Sequence, residues 1–395
     1  MSITASILAV GSAQAFEFQP FGTNLPPVDL HGFASQGYIY NSGHNNYLGG
    51  YSSDGSPDFR EYGINASVAY NKWRVGAQFF GQKLGPYGDD QIKLDWGNVD
   101  YQATQWFGVR AGRVKTPRGL YNETLDLDST RTFALLPQSV YDARLRDFNS
   151  SFDGGMIYGN IEMKKLGSLD YRAYVGSISL SPLSGASDYF NNDIPYPNTK
   201  IGMDATYGGS LFWNTPVQGL KVGYSVQMFN NFNALRTVSP TSSLWRGTSL
   251  YLRQTISAEY TRDKWVFAAE AGRDSANYWV QGFGNDFQNY DSYYGYVSAT
   301  RQITDKFSLG TYFSYSDQME KCPPYAPFNT DDRQGDLALA GCYNFTSYLL
   351  AKLEIHYMNG SGMLFNTPTG ATANQPRNTR DNSWAMIVAK VTLSF

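Results

Sequence analysis

Hydrophobic and polar residues alternate along most of this 395-residue chain, and the final segment, residues 384–395, shows the pattern clearly. Its apolar positions form one row, at Ala385, Ile387, Ala389, Val391, Leu393 and Phe395. Its polar positions form the opposite row, at Lys390, Thr392 and Ser394. Because successive side chains of a strand point to opposite faces, this segment predicts a strand with one apolar and one polar face.

The same alternation recurs in other segments, at residues 62–70, 73–82, 169–175, 250–260 and 349–357. Each run is close to the length of about 9–11 residues that a tilted strand needs to cross a bilayer. Short connections separate such runs at residues 71–72, 104–105, 163–167, 216–219, 261–264, 304–306 and 344–347. Longer polar loops lie near residues 41–60, 83–91, 115–150, 180–200, 231–247, 273–290, 318–334 and 359–382.

Seven short and eight long connections predict about sixteen strands, with both chain ends on the short-turn side. Five short turns lead into an aromatic residue, at Trp73, Trp106, Trp265, Phe307 and Tyr348. Short turns on one rim, long loops on the other and an aromatic girdle are typical of transmembrane β-barrels. The sequence therefore predicts an all-β fold, a transmembrane antiparallel β-barrel.

Composition supports the barrel. Aromatic residues make up 16% of the chain, whereas hydrophobic residues reach only 42% and the mean hydropathy is -0.40. An apolar outer band around a polar lumen averages to such values. No apolar run approaches the roughly 20 residues of a membrane helix, so a spanning chain must close into a barrel. The net charge of -3 argues against nucleic acid as a partner.

The amino-terminal region divides into two short segments. Residues 1–15 are interpreted as the remnant of a secretory signal peptide, because an apolar stretch precedes Ala13-Gln14-Ala15, a small-x-small cleavage pattern. Residues 16–29 contain three prolines without clear alternation and are interpreted as a periplasmic lead-in. We expect the barrel domain to occupy residues 30–395.

The longest irregular connection, residues 115–150, is called the third loop here. Its apolar segment Phe133–Pro137 would be unusual on a solvent-exposed tip, so we expect the loop to fold back into the lumen. Barrels of about 16–18 strands are wide enough to hold an aqueous channel. The candidate constriction residues are the charged side chains of this loop, Lys115, Arg118, Glu123, Asp126, Asp128, Arg131, Asp142, Arg144, Arg146 and Asp147.

Inward-facing charges of the strands are candidates for the opposite pore wall, namely Arg74, Lys93, Arg172, Arg253, Glu259 and Glu354. Acids and bases opposed across a narrow pore create a transverse field that discriminates ions by sign. The alternative interpretation is that half of the loop charges pair with one another and only anchor the loop.

Three segments carry a resemblance to a known family: residues 112–158, residues 354–360 (EIHYMNG) and the final strand. They resemble bacterial outer-membrane porins, including the sixteen-stranded phosphate-selective and dicarboxylate-uptake groups. The resemblance implies a homotrimer in the outer membrane, passive diffusion of small hydrophilic solutes and ions, and contact with outer-membrane lipid and lipopolysaccharide. The terminal Phe395 resembles the recognition signal of the barrel-assembly machinery. The balanced charge of the third loop departs from the phosphate-selective group.

Enzyme, metal and cofactor chemistry find little support in the sequence. Three histidines and two separated cysteines lack the usual metal-ligand spacing. A phosphate-binding loop and a serine-nucleophile elbow are missing as well. We expect no enzyme and no cofactor. Two alternatives to the diffusion porin stay open: a β-barrel sheath around a multihaem cytochrome, which would lack a constricting loop, and an outer-membrane lipase-type enzyme.

Overall fold

The computed structural model describes residues 16–19, 26–43, 45–48, 54–190, 198–239, 242–282, 284–321, 333–365 and 380–395. In these residues the strands are β1 Phe16–Phe18, β2 Val28–Asn41, β3 Ser56–Tyr70, β4 Trp73–Leu84, β5 Lys93–Thr104, β6 Phe107–Lys115, β7 Ser151–Glu162, β8 Ser168–Ser177, β9 Asn198–Gly202, β10 Ala205–Asn214, β11 Leu220–Ser239, β12 Ser242–Arg262, β13 Trp265–Val280, β14 Gly284–Gln302, β15 Phe307–Lys321, β16 Arg333–Asn344, β17 Leu349–Gly360 and β18 Ser383–Ser394.

The described helices are short. Two are α-helices, α1 Arg146–Asn149 and α2 Gly185–Phe190. The others are single 3-10 turns at Asn122–Thr124, Asp128–Thr130, Ala143–Leu145 and Lys164–Leu166. Among the described residues, no helix is long and apolar enough to cross a bilayer.

The sheet closes on itself. Consecutive strands pair in antiparallel fashion from β2 to β8 and from β10 to β18. The barrel closes where β18 pairs with β2, with Ser394 opposite Phe33. β9 pairs with the far part of β11, whose near part pairs with β10, so β9 and β10 act as one interrupted strand. The predicted sixteen-stranded antiparallel barrel is confirmed.

The amino-terminal lead-in contains a strand that the sequence pattern does not predict. Phe16 of β1 lies opposite Leu30 of β2, and β2 begins at Val28, within the segment interpreted as lead-in. Residues 1–15, interpreted as the signal-peptide remnant, lie outside the described residues.

Along each strand, side chains point alternately to the outer face of the barrel and to the lumen, because successive residues of a strand face opposite sides. The outer face carries an apolar belt of exposed residues that includes Ile64, Val75, Val99, Ile157, Leu211, Ile256, Val297, Leu339, Leu353 and Ile387. At the short-turn rim, Trp73, Trp106, Trp265 and Tyr348 are exposed. An apolar belt bordered by aromatic residues at the interface is what a bilayer-spanning barrel needs.

The seven short turns occur where the sequence predicts them, but two predicted long loops are wrong. Residues 231–247 and 273–290 belong largely to the hairpins β11–β12 and β13–β14, whose strands reach Ser239 and Val280 before reversing. These strand ends extend beyond the apolar belt. Their buried residues include Phe232, Ala234, Ala276 and Tyr278, whereas, between them, Asn233 is partly exposed and Asn277 is exposed. The alternation is therefore apolar inside and polar outside, the reverse of the pattern that identifies a belt strand.

Candidate functional site

The apolar segment of the third loop packs against the inner wall of the barrel. Phe133 and Leu135 are buried, and the Phe133 ring centroid lies 5.1 Å from that of Tyr312 on β15. On β17, the Glu354 carboxylate accepts hydrogen bonds from the backbone N–H groups of Ala134 at 2.5 Å and Leu135 at 3.2 Å. The prediction that this loop folds into the lumen is confirmed.

A second attachment joins the loop to β13. The Glu270 carboxylate accepts a hydrogen bond from the Leu120 N–H at 3.0 Å and another from the Tyr141 hydroxyl at 2.5 Å. Beside it, Gly119 has a φ of 57°, and a Cβ there would lie 2.7 Å from a Glu270 carboxylate oxygen. The glycine therefore permits both the left-handed backbone and the close approach. From its ends on β6 and β7, the loop thus crosses the lumen to β13 and β17.

A compact charge network holds the two ends of the loop together. Lys115 Nζ lies 2.5 Å from Asp95 and 2.8 Å from Asp126. Arg146 lies 2.8 Å from Asp95 and 2.6 Å from Asp126, so two cations alternate with two carboxylates. Burial alone would raise the pKa of Asp126, but the charges of Arg146 and Lys115 outweigh burial and hold that pKa below its usual range.

Asp128 joins the middle of the loop to β17 and β18. Its carboxylate lies 2.7 Å from Lys390 Nζ, 2.9 Å from Arg131 and 3.5 Å from Lys352 Nζ, and it accepts a hydrogen bond from Thr392 at 2.7 Å. Burial opposes ionisation here too. The charges of Lys352, Lys390 and Arg131 nevertheless keep the pKa of Asp128 below its usual range.

Arg144 connects the third loop with two other long loops. Its guanidinium forms an ion pair with Asp142 at 2.6 Å and donates a hydrogen bond to the Met363 carbonyl at 2.5 Å. The guanidinium carbon lies 3.9 Å from the Phe365 ring centroid and 5.1 Å from that of Tyr47. Arg144 therefore contributes to packing among loops rather than facing open solvent.

Two of the predicted constriction residues are much more exposed than the others. Glu123 forms an ion pair with Arg172 at 3.3 Å, and both side chains are about one-third exposed. Asp147 lies 3.6 Å from Lys93, and these side chains are 41% and 52% exposed. The remaining members are buried or nearly so within contacts that hold the loop, namely Lys115, Arg118, Asp126, Asp128, Arg131, Asp142, Arg144 and Arg146.

The other predicted wall residues have different surroundings. Arg74 is exposed on the inner face of β4. Arg253 is buried in an ion pair with Asp274 at 2.8 Å. Glu259 is partly exposed and accepts a hydrogen bond from the Tyr121 hydroxyl at 2.9 Å.

The sequence pattern does not predict several of the anchoring residues, including Asp95, Glu270, Lys352 and Lys390. Alternation places Lys352 and Lys390 on the inner face, but the partner Asp128 lies more than 200 positions away, and no local pattern reveals such a contact. His356 is buried between carboxylates that face its two ring nitrogens separately, Asp336 at 3.0 Å and Glu354 at 3.2 Å.

Metal coordination has no candidate in the part of the chain that the structure describes. No group of three histidine, cysteine, aspartate or glutamate side chains there is arranged to hold a metal ion. The groups that ligate most metals in proteins form hydrogen bonds and ion pairs in this lumen instead.

Open space lies beside the loop, on the β3–β5 side of the lumen. One cavity is lined by Lys93, Arg146 and Asp147 among others, and a second includes Glu61 and Arg131 in its lining. The loop therefore fills only part of the barrel, and charged side chains border the space that is left.

The chain is similar to solved outer-membrane structures along almost its whole length. OmpT of Vibrio cholerae has 11% sequence identity and a TM-score of 0.59, covering 95% of this chain and 100% of that chain. An anion-selective porin from Comamonas acidovorans has 12% identity and a TM-score of 0.56, covering 93% and 99%. The outer membrane channel DcaP of Acinetobacter baumannii has 9% identity and a TM-score of 0.57, covering 97% and 100%.

No protein-family model matches the sequence, and no curated protein matches it either. Likeness at these identities concerns the fold. The chain has the fold of the sixteen-stranded outer-membrane porins, so the resemblance predicted from the sequence is confirmed at that level.

Proposed function

We propose that this chain is a diffusion porin that forms a water-filled channel for small hydrophilic solutes and ions. The main observation in support is a closed sixteen-stranded barrel whose lumen contains an anchored third loop. Charged side chains line the open space beside that loop. A barrel of this size has room for an aqueous path. A rigid loop across that path would limit the size of the solutes that pass.

The charged side chains of the lumen fall into two groups, to which we assign different roles. The enclosed ion pairs around Asp126 and Asp128 hold the loop against the wall. Removing one partner of such a buried pair would leave the other charge uncompensated, which is strongly destabilising. The exposed pair Lys93–Asp147 lines the open space beside the loop, and the pair Glu123–Arg172 is about one-third exposed between the loop and β8. At these places the charges would act on passing ions. We therefore propose constriction roles chiefly for these exposed residues, and anchoring roles for the enclosed ones.

The proposed setting is the outer membrane of a bacterium. The apolar belt and the porin fold support this location. Contact with lipopolysaccharide and recognition of the Phe395 strand by the assembly machinery are parts of the proposal. A homotrimer is proposed as well, and it is supported by the trimer form described for Vibrio cholerae OmpT.

A cytochrome sheath is a weaker explanation of the same barrel. Such a sheath needs an interior wide enough for a second protein. Here the loop crosses the lumen, and its Phe148 packs in an aromatic cluster with Phe229, Phe232 and Tyr251. We propose transport without catalysis, a role that the channels among the structural neighbours also support.

Liposome swelling tests the proposal directly. Purified protein refolded into liposomes should admit small neutral sugars such as arabinose, with rates that fall steeply as the sugar grows to a trisaccharide. Protein denatured before reconstitution serves as the control. Swelling no faster than in the control for every sugar would contradict the porin assignment, and a haem-protein copurifying with the barrel would favour the sheath.

A further inference from the structure

We propose that the outer face of the barrel carries a binding site for an anionic phospholipid, built around Arg262, Trp265 and Arg301 at the short-turn rim. The short turns of outer-membrane barrels lie on the periplasmic side, so this rim meets the leaflet that consists of glycerophospholipids. The site lies on the opposite face of the wall from the lumen, and it is independent of conduction through the channel.

Strand register places the three side chains in one row. Arg262 at the end of β12 lies directly opposite Trp265 at the start of β13, and Trp265 lies directly opposite Arg301 on β14. The row faces outward, because the buried, inward residues of β13 alternate with it at Ala268 and Glu270. All three side chains are exposed. Since neighbouring strands are about 4.8 Å apart, the two arginines stand roughly 10 Å apart with the indole between them.

The positive charge of this row is only weakly compensated by the protein. Arg262 Nε lies 4.0 Å from the Asp263 carboxylate, at the outer limit of an ion pair, and the two side chains are 73% and 88% exposed. Arg301 forms no ion pair with any residue that the structure describes. Lys264 adds another positive charge in the same turn. Basic side chains at the surface of a bilayer attract anionic headgroups.

The indole between the arginines sets the depth of the site. The Arg301 guanidinium carbon lies 5.1 Å from the Trp265 ring centroid, within the range of a cation–π contact. The Trp265 ring stacks in turn on Phe267, with ring centroids 5.4 Å apart and planes at 10°. Tryptophan is enriched where headgroups meet acyl chains. The stack therefore holds the Arg301 guanidinium at the level of the lipid phosphates.

Short side chains lie on the bilayer side of the row. Ala258, Ala269 and Ala299 share the outer face of β12, β13 and β14 with it. Beside them, the larger side chains of Ile256 and Val297 are 61% and 58% exposed. The three alanines therefore form a shallow depression bordered by larger apolar residues. An acyl chain whose phosphate is bound at the arginines can lie in this depression and gain contact with the wall.

The chemistry of the site suits a phospholipid with a net negative headgroup. Each guanidinium can donate two parallel hydrogen bonds to phosphate oxygens. A zwitterionic lipid offers the same phosphate, but its headgroup also carries a cation that the two arginines repel. Inorganic phosphate has the charge but lacks the acyl chains that the depression receives. The site should therefore prefer phosphatidylglycerol to phosphatidylcholine and to free phosphate.

Native mass spectrometry of the purified full-length protein tests the site, in a neutral detergent with equal amounts of phosphatidylglycerol and phosphatidylcholine. The parent should retain phosphatidylglycerol. Arg262→Gln combined with Arg301→Gln should weaken that retention about tenfold, because two basic contacts to the headgroup are lost. Lys72→Gln combined with Lys165→Gln is the matched control. It removes two exposed positive charges from other short turns of the same rim and should bind phosphatidylglycerol like the parent.

A second variant tests the acyl contact without changing any charge: Ala269→Leu fills the depression and should also lower retention of phosphatidylglycerol. Equal retention of the two lipids by the parent, or retention at the control level by the arginine double variant or by Ala269→Leu, would overturn the site. Displacement of phosphatidylglycerol by inorganic phosphate would show a phosphate site without a role for lipid, and would overturn it as well. Loss of an oligomer by the arginine double variant on unheated gels would instead assign this face to a second copy of the chain.

Discussion

Asp128 is the residue on which the anchoring of the third loop depends most. It is a single carboxylate among three cations, and two of those cations, Lys352 and Lys390, are fully buried on neighbouring strands. Without the carboxylate, Lys390 would keep its ion pair with Glu61 at 2.5 Å. Lys352 would be left with hydrogen bonds to the Asp128 and Phe133 carbonyls, so its buried charge would be uncompensated. Such uncompensated buried charges are among the most destabilising features that one substitution can create.

We expect Asp128→Asn to weaken loop anchoring by about 3–5 kcal/mol, because the amide keeps the size of the side chain but removes its charge. Hydrogen exchange of backbone amides in the third loop is the measurement, with faster exchange expected across the loop. Asp263→Asn, at an exposed short turn, is the control and should leave the exchange unchanged. Exchange in Asp128→Asn as slow as in that control would contradict the anchoring role.

The sequence predicts the wall residues of such contacts better than it predicts the roles of the loop residues that bind them. The alternation of β17 and β18 correctly places Lys352 and Lys390 on the inner face. The sequence also identifies the loop charges, as pore-lining candidates with anchoring of the loop as the alternative. Which of them become buried depends on where an irregular loop settles inside the barrel. That position is set by pairings such as Asp128 with Lys390, between residues far apart in the chain.

The third loop is an element held by ionised carboxylates, and its anchoring should therefore depend on pH. The pKa values of Asp126 and Asp128 are lowered in the folded protein by the neighbouring cations. A lowered pKa means that the carboxylate contributes stability above its unfolded pKa of about 3.9, and that this contribution is lost as pH falls below that value.

Protection of the third loop against proteolysis should accordingly be constant between neutral pH and about pH 5, and it should decrease below about pH 4. Limited proteolysis at a series of pH values, with an acid-active protease and a neutral protease overlapping at intermediate pH, follows the accessibility of the loop. Loss of protection on raising the pH above neutrality, with none on acidification, would have the wrong sign for anchoring by carboxylates.

The element scale also shows where sequence patterns stop being informative. The hairpins β11–β12 and β13–β14 extend past the apolar belt, and there the inner residues Phe232, Ala234, Ala276 and Tyr278 are buried, while Asn233 is partly exposed and Asn277 is exposed. A strand that meets water on its outer face no longer needs an apolar row. The sequence pattern therefore predicts loops at those extensions, whereas the seven short turns occur where it predicts them.

At the scale of the whole molecule, closure of the barrel depends on the last strand. Phe395 exchanges backbone hydrogen bonds with Gly32, at 2.9 and 3.1 Å, and its ring covers that glycine. Short turns lie on one rim and long loops on the other. Seven short turns and eight long loops therefore give an even number of strands. Closure could thus be predicted from the sequence, whereas the register of β18 against β2 could not.

Removing Phe395 should reduce the amount of folded barrel in the membrane severalfold, because both the final backbone pair and the terminal aromatic ring are lost. Heat-modifiable migration of the outer-membrane fraction on SDS gels measures the folded amount. Phe395→Tyr keeps an aromatic end and should accumulate like the parent. Parent-level accumulation of the truncated chain would show that the terminal residue is dispensable for assembly.

The most direct test of the central claim is single-channel conductance in planar bilayers, for the parent and for Asp126→Asn combined with Asp128→Asn. If the lumen is water-filled and narrowed by an anchored loop, the parent gives steady, voltage-proportional steps, and the double variant gives larger or strongly fluctuating ones. A parent that inserts without carrying current, or a double variant indistinguishable from it, would contradict the account.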